Sequence, residues 1–298
     1  MPPIEVRGAR KKDRTTVEGG GTVPGWLKTP SNVGLASKGL TTGDLSVYSG
    51  LPAWGGLNAN ITGTHTRRRF NLSTVLAPGS NAVFNECHIE AAFGPIQISG
   101  SNVQFNDCDI IITGSGGSER VSINANPYYG AAGTVTINNC RFTGGTLFIN
   151  VTGLGANVVD CYGYGQDPDN NGGAQHRDGF TTRADGGTIY LTRCRFDCNQ
   201  GSTTGAFFTQ DTYQGNQASR ALNDPIILTD CMFEGSGYCM TLEDCKDLRV
   251  TNCRTRSYGA YAYAGVTANS RVVTTTWTGN YNWANTPPDY QGTILNEP

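Results

Sequence analysis

Between residues 82 and 255 the chain repeats one short phrase in which apolar and polar positions alternate. Val135-Thr-Ile-Asn-Asn-Cys140-Arg-Phe142 is its fullest copy: an alternating run, a polar pair, a Cys, then a large apolar residue two places on. Six further copies centre on Cys87, Cys108, Cys161, Cys194, Cys231 and Cys253, at successive spacings of 21, 32, 21, 33, 37 and 22 residues. Alternation with Val, Ile, Phe and Thr predicts short strands with one face buried. Gly, Asn, Asp and Ser clusters between the copies turn the chain. No stretch has the 3.6-residue period of a useful amphipathic helix. Short strands, tight turns and a repeat floor of 21–22 residues predict a right-handed parallel β-helix, an all-β solenoid whose coils stack about 4.8 Å apart.

One position repeated in seven coils makes an interior column of Cys side chains, since free Cys packs as a small buried hydrophobe. A disulfide framework fits less well, because 298 residues bury a core without staples. Cys198, Cys239 and Cys245 fall outside the column and are free to pair. No CxxC-type cluster suggests a metal. A net charge of −2 argues against nucleic acid as the main partner, and no apolar run is long enough to span a membrane. The opening MPPIEVRGARKKDRTTVEGGG has basic residues without an apolar run behind them, so no amino-terminal processing is expected.

In chain order, residues 1–40 form an extended arm with a basic cluster (Arg7, Arg10, Lys11, Lys12, Arg14), expected to dock on a neighbouring copy or another subunit. Residues 41–285 are the β-helix. Its opening coils run through Leu45–Tyr48, Leu57–Ile61 and Arg69–Leu72, with Trp54 available to plug the open end. Final coils and an aromatic cap follow Cys253, and residues 286–298 are a tail. Three long insertions hold the chemistry. The first, Gly114–Gly133, carries Asn124, Asn126, Tyr128 and Tyr129. The second and third are expected to leave adjacent coils on one side, gathering Asp167, Asp169, His176, Asp178, Arg183, Asp185, Gln210, Asp211, Tyr213 and Arg220 beside Tyr164.

His176 would be the acid or base near neutral pH, with Asp178 or Asp211 as partner carboxylate. Tyr164, Asp167, Asp169, Arg183, Asp185, Gln210, Tyr213 and Arg220 would hold a sugar, and Arg183 or Arg220 would steady a lyase enolate. The plainer alternatives are that Asp178-Gly179 and Asp185-Gly186-Gly187 are turns and that His176 bonds a backbone carbonyl. Binding without chemistry is the preferred reading.

The repeats ending NNCRF, TRCRF and TDCMF, with QHRDGF and GAFFTQDTY between them, resemble right-handed β-helix proteins of the pectate-lyase-like superfamily. The kinship is nearest to actinobacterial and phage-borne members with a His-x-Asp-Gly segment before a strand. It covers residues 41–285. In related sugar-acting enzymes the matching segment lies on the groove side, which implies His176 and Asp178. The aspartate-pair, Gly-His-Gly and Arg-x-Lys signatures of polygalacturonases are absent, as is a calcium-binding aspartate set with a lyase Arg or Lys. Tyr164-Gly165, Asp167-Pro168 and Asp178-Gly179-Phe180 are similar to alginate epimerases over a short span. No cofactor is expected, and calcium is left open without a residue set to hold it.

The expectation is a bacteriophage virion protein, a minor tail, tail-tip or tailspike-like module. Residues 1–40 would anchor it to other virion proteins, and its loops would meet host cell-wall polysaccharide. A homotrimer is implied by the resemblance to phage β-helices. A polysaccharide lyase or glycoside hydrolase is the alternative.

Overall fold

The computed structural model describes residues 27–49, 59–72, 75–91, 96–114, 120–166, 178–183, 186–198, 205–210, 224–235, 238–257, 264–266 and 272–282. Within them the chain winds through three parallel sheets in fixed order. Sheet A has ten strands, from Ser46–Val47 to Tyr281–Asn282. Sheet B has nine, from Ala59–Ile61 to Ala264–Val266, and sheet C nine, from Thr64–Thr66 to Val272–Thr278. Each coil contributes one strand to B, then C, then A. The expected right-handed parallel β-helix is the fold, and no α-helix occurs among the described residues.

The repeated phrase is the corner from sheet C to sheet A. The residue before each column Cys has positive φ: Glu86, Asp107, Asn139, Asp160, Arg193, Asp230 and Asn252 all lie between +50° and +57°. Asn and Asp tolerate this left-handed conformation best, which explains their frequency there. The two exceptions with long side chains are paired across coils. Arg193 makes two bonds to Asp160, at 2.8 and 2.7 Å, and Glu86 accepts from Arg67 at 2.6 Å.

Just past each bend the column thiol lies between two carbonyls, one of its own coil and one of the coil before. Cys108 Sγ is 3.2 Å from the Asn106 carbonyl and 3.4 Å from Phe84, Cys140 3.3 Å from Asn138 and 3.5 Å from Phe105, Cys194 3.4 Å from both Thr192 and Val158, and Cys231 3.3 Å from Thr229 and 3.4 Å from Leu191. In each case the acceptor on the earlier coil lies three residues before that coil's column residue. Cys161 Sγ also accepts from the Cys140 N–H at 3.5 Å. In the last described coil Asn280 takes the position. It accepts from the Cys253 N–H (2.8 Å) and donates to the Val250 carbonyl (3.0 Å), repeating the thiol's two contacts. All ten cysteines are buried and none is in a disulfide. Cys198, Cys239 and Cys245 are therefore not bridged, and burial pushes Cys239 up to about 12 and Cys245 up to about 11.

Apolar files fill the interior. Sheet C supplies Phe84, Phe105, Ile137, Val158, Leu191, Leu228 and Val250, with the first two rings stacked at 5.0 Å. Sheet A supplies Ile110, Phe142, Gly163, Phe196 and Phe233. Gly163 is a gap filled from sheet B, since a Cβ there would stand 2.4 Å from the Phe148 ring.

The described part of the arm, 27–40, docks on the chain's own helix, across the outer side of sheet A and its corner with C. Leu27, Val33 and Leu35 are buried. The Gly34 N–H donates to the Asn139 carbonyl (2.8 Å) and the Leu35 N–H to Asp109 Oδ1 (3.2 Å). Gly34 has φ +59°, and a Cβ would meet Asp109 Oδ1 at 2.1 Å, so no other residue fits. Lys38 pairs with Asp107 (3.3 Å) and Lys28 with Asp160 (2.6 Å). The arm's cations thus find their acidic neighbours on the corner ridge of the same chain. The cluster Arg7–Arg14, Trp54 and the tail 286–298 lie outside the described residues.

Cys140→Ala is expected to lower unfolding free energy by about 1–3 kcal/mol, through a small cavity and the loss of the thiol's weak contacts to two carbonyls. Gly163→Val is expected to cost about 2–3 kcal/mol by overpacking against Phe148. Urea midpoints check both. Burial alone would raise the Asp160 carboxyl, but Arg193 and Lys28 hold it below the ordinary range. That depressed value gives a contribution present above the unfolded pKa of about 3.9 and lost as pH falls through the folded value. Limited proteolysis around Lys28 is expected to rise in that acid window, and Asp160→Asn to bring the same exposure at neutral pH.

Candidate functional site

Sheet B is where the long insertions meet the solenoid. Its interior file Ile123, Ile149, Phe180, Phe207, Met240 alternates with an outer file Asn124, Asn150, Thr181, Phe208, Thr241. Gln97 precedes Asn124 in the outer file. Asn150 Nδ2 donates to Asn124 Oδ1 at 3.1 Å, so two carboxamides are locked together on successive coils.

The two long polar insertions, 162–187 and 198–225, sit on adjacent coils, as expected, but their longest connections join opposite edges of this sheet. The stretch with Asp167, Asp169 and His176 departs after Gln166 and rejoins at Asp178, on the A-to-B edge. Asp211, Tyr213 and Arg220 lie between strand Gly205–Gln210 and Asp224, on the B-to-C edge. The two edges are a six-residue strand apart, about 16 Å. Both insertions run from sheet A through one strand of sheet B to sheet C, so they leave equivalent points of successive coils; what differs is which of the two connections is long, A to B in the second and B to C in the third. His176, Asp211, Asp167, Asp169, Asp185, Tyr213 and Arg220 themselves lie outside the described residues. Arg183 and Gln210 are register partners on neighbouring strands, at the B-to-C end of sheet B.

Asp178 is described in full. It opens strand Asp178–Arg183, it is almost fully buried, and its Oδ1 accepts the Gly205 N–H of the next coil at 2.9 Å. Its own N–H donates to the Thr146 carbonyl (3.1 Å). Gln166 Nε2 donates to the carbonyls of both Thr146 (2.9 Å) and Asp178 (2.8 Å). Asp178 thus ties three coils at the corner where the His176 stretch rejoins the helix. Gln166 and Thr146 were not singled out from sequence, since their roles depend on residues 12 to 26 positions away.

Tyr164 belongs to another face. It stacks on Tyr162 (5.0 Å, 12°) in sheet A, where the Arg195 guanidinium lies 5.1 Å from the Tyr162 ring centre. Burial pushes the Tyr162 phenol up. Arg195 also binds Glu234 (2.5 Å) and donates to the Lys28 carbonyl (3.1 Å), so the arm covers this part of sheet A. Nearby, Asp109 bonds Arg141, and burial raises its carboxyl despite that cation. Tyr164 is therefore separated from Arg183 and Gln210 by the corner between sheets.

Among the described residues no group of His, Cys, Asp or Glu is arranged to hold a metal, and no helix is long and apolar enough to cross a membrane. No family model, curated protein or solved structure matches the chain.

Asp178→Ala is expected to lower stability by about 1–3 kcal/mol, by leaving the buried Gly205 N–H without its acceptor. Asp178→Asn keeps an acceptor oxygen and is expected to lose less than half as much. Denaturant midpoints of the two variants check the order.

Proposed function

We propose that the chain is a bacteriophage virion component, a tail, tail-tip or tailspike-like β-helix that holds a host-surface glycan on sheet B without cutting it. The observation that carries binding over cleavage is the state of Asp178. Its carboxylate is buried and already committed to the Gly205 amide, whereas a general acid or base must reach the bond it acts on. The resemblance of QHRDGF and GAFFTQDTY to phage-borne members of the pectate-lyase-like superfamily supports the setting. Residues 1–26 would contact other virion proteins, and three copies would assemble as a homotrimer. A parallel solenoid with polar insertions at both edges of one sheet is a rigid mount for recognition.

A second reading, a polysaccharide lyase or glycoside hydrolase, is favoured by one specific feature. The stretches bearing His176 and Asp211 connect to opposite ends of neighbouring strands of sheet B, one before Asp178 and the other after Gln210.

The full chain is expected to be retained on host cell-wall polysaccharide, to leave that polymer's length and reducing ends unchanged, and to scatter light as a trimer. Shortening of the polymer by the wild-type chain but not by Asp178→Asn would replace this reading with the enzymatic one. Absence of retention, with no copy of the chain in purified virions, would remove it.

A further inference from the structure

Among the described residues, the hydrogen bonds and ion pairs from residues 27–40 to the solenoid all fall on the coils from Cys108 to Cys194. The Gly34 N–H donates to the Asn139 carbonyl (2.8 Å), the Leu35 N–H to Asp109 Oδ1 (3.2 Å) and Asn139 Nδ2 to Ser37 Oγ (2.7 Å). Arg195 donates to the Lys28 carbonyl (3.1 Å), Lys28 pairs with Asp160 (2.6 Å) and Lys38 with Asp107 (3.3 Å). The arm also holds its own shape. The Thr29 N–H donates to Asn32 Oδ1 (2.8 Å), Asn32 Nδ2 to the Leu27 carbonyl (3.1 Å), and the short helix Gly34–Lys38 closes on Gly39. Residues 41–44 are exposed, and the hydrogen bonds of residues 41–45 stay within that link, as from the Thr41 N–H to Asp44 Oδ2 (2.8 Å).

The face under the arm is neutralised without it. Asp109 bonds Arg141, and Glu234 takes Arg195 (2.5 Å) and Arg256 (3.6 Å). Asp160 keeps two bonds from Arg193, at 2.8 and 2.7 Å, and Asp107 accepts from Asn139 Nδ2 (2.6 Å). Lifting the arm therefore strands no charge on the solenoid, and a stranded charge is what makes a buried ionic contact costly to break. Contacts built to stay closed are largely apolar, whereas a charged, self-paired face tolerates both cover and water. The site is nonetheless exacting. Gly34 has φ +59°, and a Cβ there would stand 2.1 Å from Asp109 Oδ1 and 3.1 Å from Arg141 Cβ. Lys28 and Lys38 must meet Asp160 and Asp107 at the same time. A segment that refills the vacated site must repeat this sequence, and a second copy of the chain carries it.

We infer that residues 27–40 are a detachable strap and that sheet A of one copy takes the strap of another. Exchange keeps every contact and changes only which chain supplies it. Copies held in one assembly present their arms to each other at high effective concentration. The inference rests on the homotrimer proposed above and names the contact that ties its copies.

The test uses full chains. One carries Ser37→Cys and another Asn139→Cys, so a disulfide between these positions joins two molecules by construction. A cross-linked dimer is expected in the oxidised mixture and in neither variant alone. Gly34→Ala added to the Ser37→Cys chain should lower its yield about tenfold. Lys38→Cys with Asp107→Cys is the second pair if Asn139→Cys disturbs its corner. In the wild-type chain the Gly34 and Leu35 amides should exchange hydrogen at least about tenfold faster than the Asp109 and Arg141 amides beneath them, which bond the Cys87 and Cys108 carbonyls. Equal rates would mean that the arm opens only with the whole molecule, and would overturn the strap. No dimer from either mixture, with the disulfide closing inside a chain that carries both substitutions, would overturn the exchange. Light scattering at trimer mass would then leave the homotrimer standing, and monomer mass would remove both.

Discussion

Every coil of this protein has to turn from sheet C into sheet A within a residue or two, and the turn is made by one residue in the left-handed region. Just past that bend, the thiol reaches back to a strand carbonyl of the coil before as well as to one of its own coil. Because acceptor and donor belong to different coils, each tie also fixes the stacking of its neighbours. The apolar files of Phe, Ile, Val and Leu then pack in register because the corners are already aligned. Cysteine suits the position because it is small, weakly polar and able both to donate and to accept.

The fold was legible because the corner is local. A turn-former, a Cys and an apolar residue within four places repeat the geometry in the sequence itself, as in Asn139-Cys140-Arg141-Phe142. Sheet B has no such phrase, and the insertions that flank it differ in length, so its register does not show in the spacing of the cysteines. Asn124 was visible as a polar residue in an insertion. Its partner Asn150 was not, because only the pairing of strands places them on adjacent coils. Which connection of the second and third insertions is the long one was hidden for the same reason: measured from Cys to Cys, extra residues before the sheet-B strand and after it look alike.

Residues 27–40 illustrate a different limit. By composition they read as an arm seeking a partner, and Lys28 and Lys38 do take acidic ones. Those partners are Asp160 and Asp107, far along the same chain, on a ridge that exists only once the coils have stacked. The arm in turn covers Asp109, Arg141 and Arg195 on sheet A, so its docking depends on the same stacking that it braces.

Asn280 bears on how such a chain can lengthen. A solenoid grows by copying coils, and any copy placed within the thiol column inherits both a donor below and an acceptor above. Asn280 answers the Cys253 corner with a carboxamide instead of a thiol. A coil duplicated from the Cys87–Cys253 region and inserted there would splice in without a seam. The same coil appended after Asn280 would meet a larger, differently shaped side chain at the join.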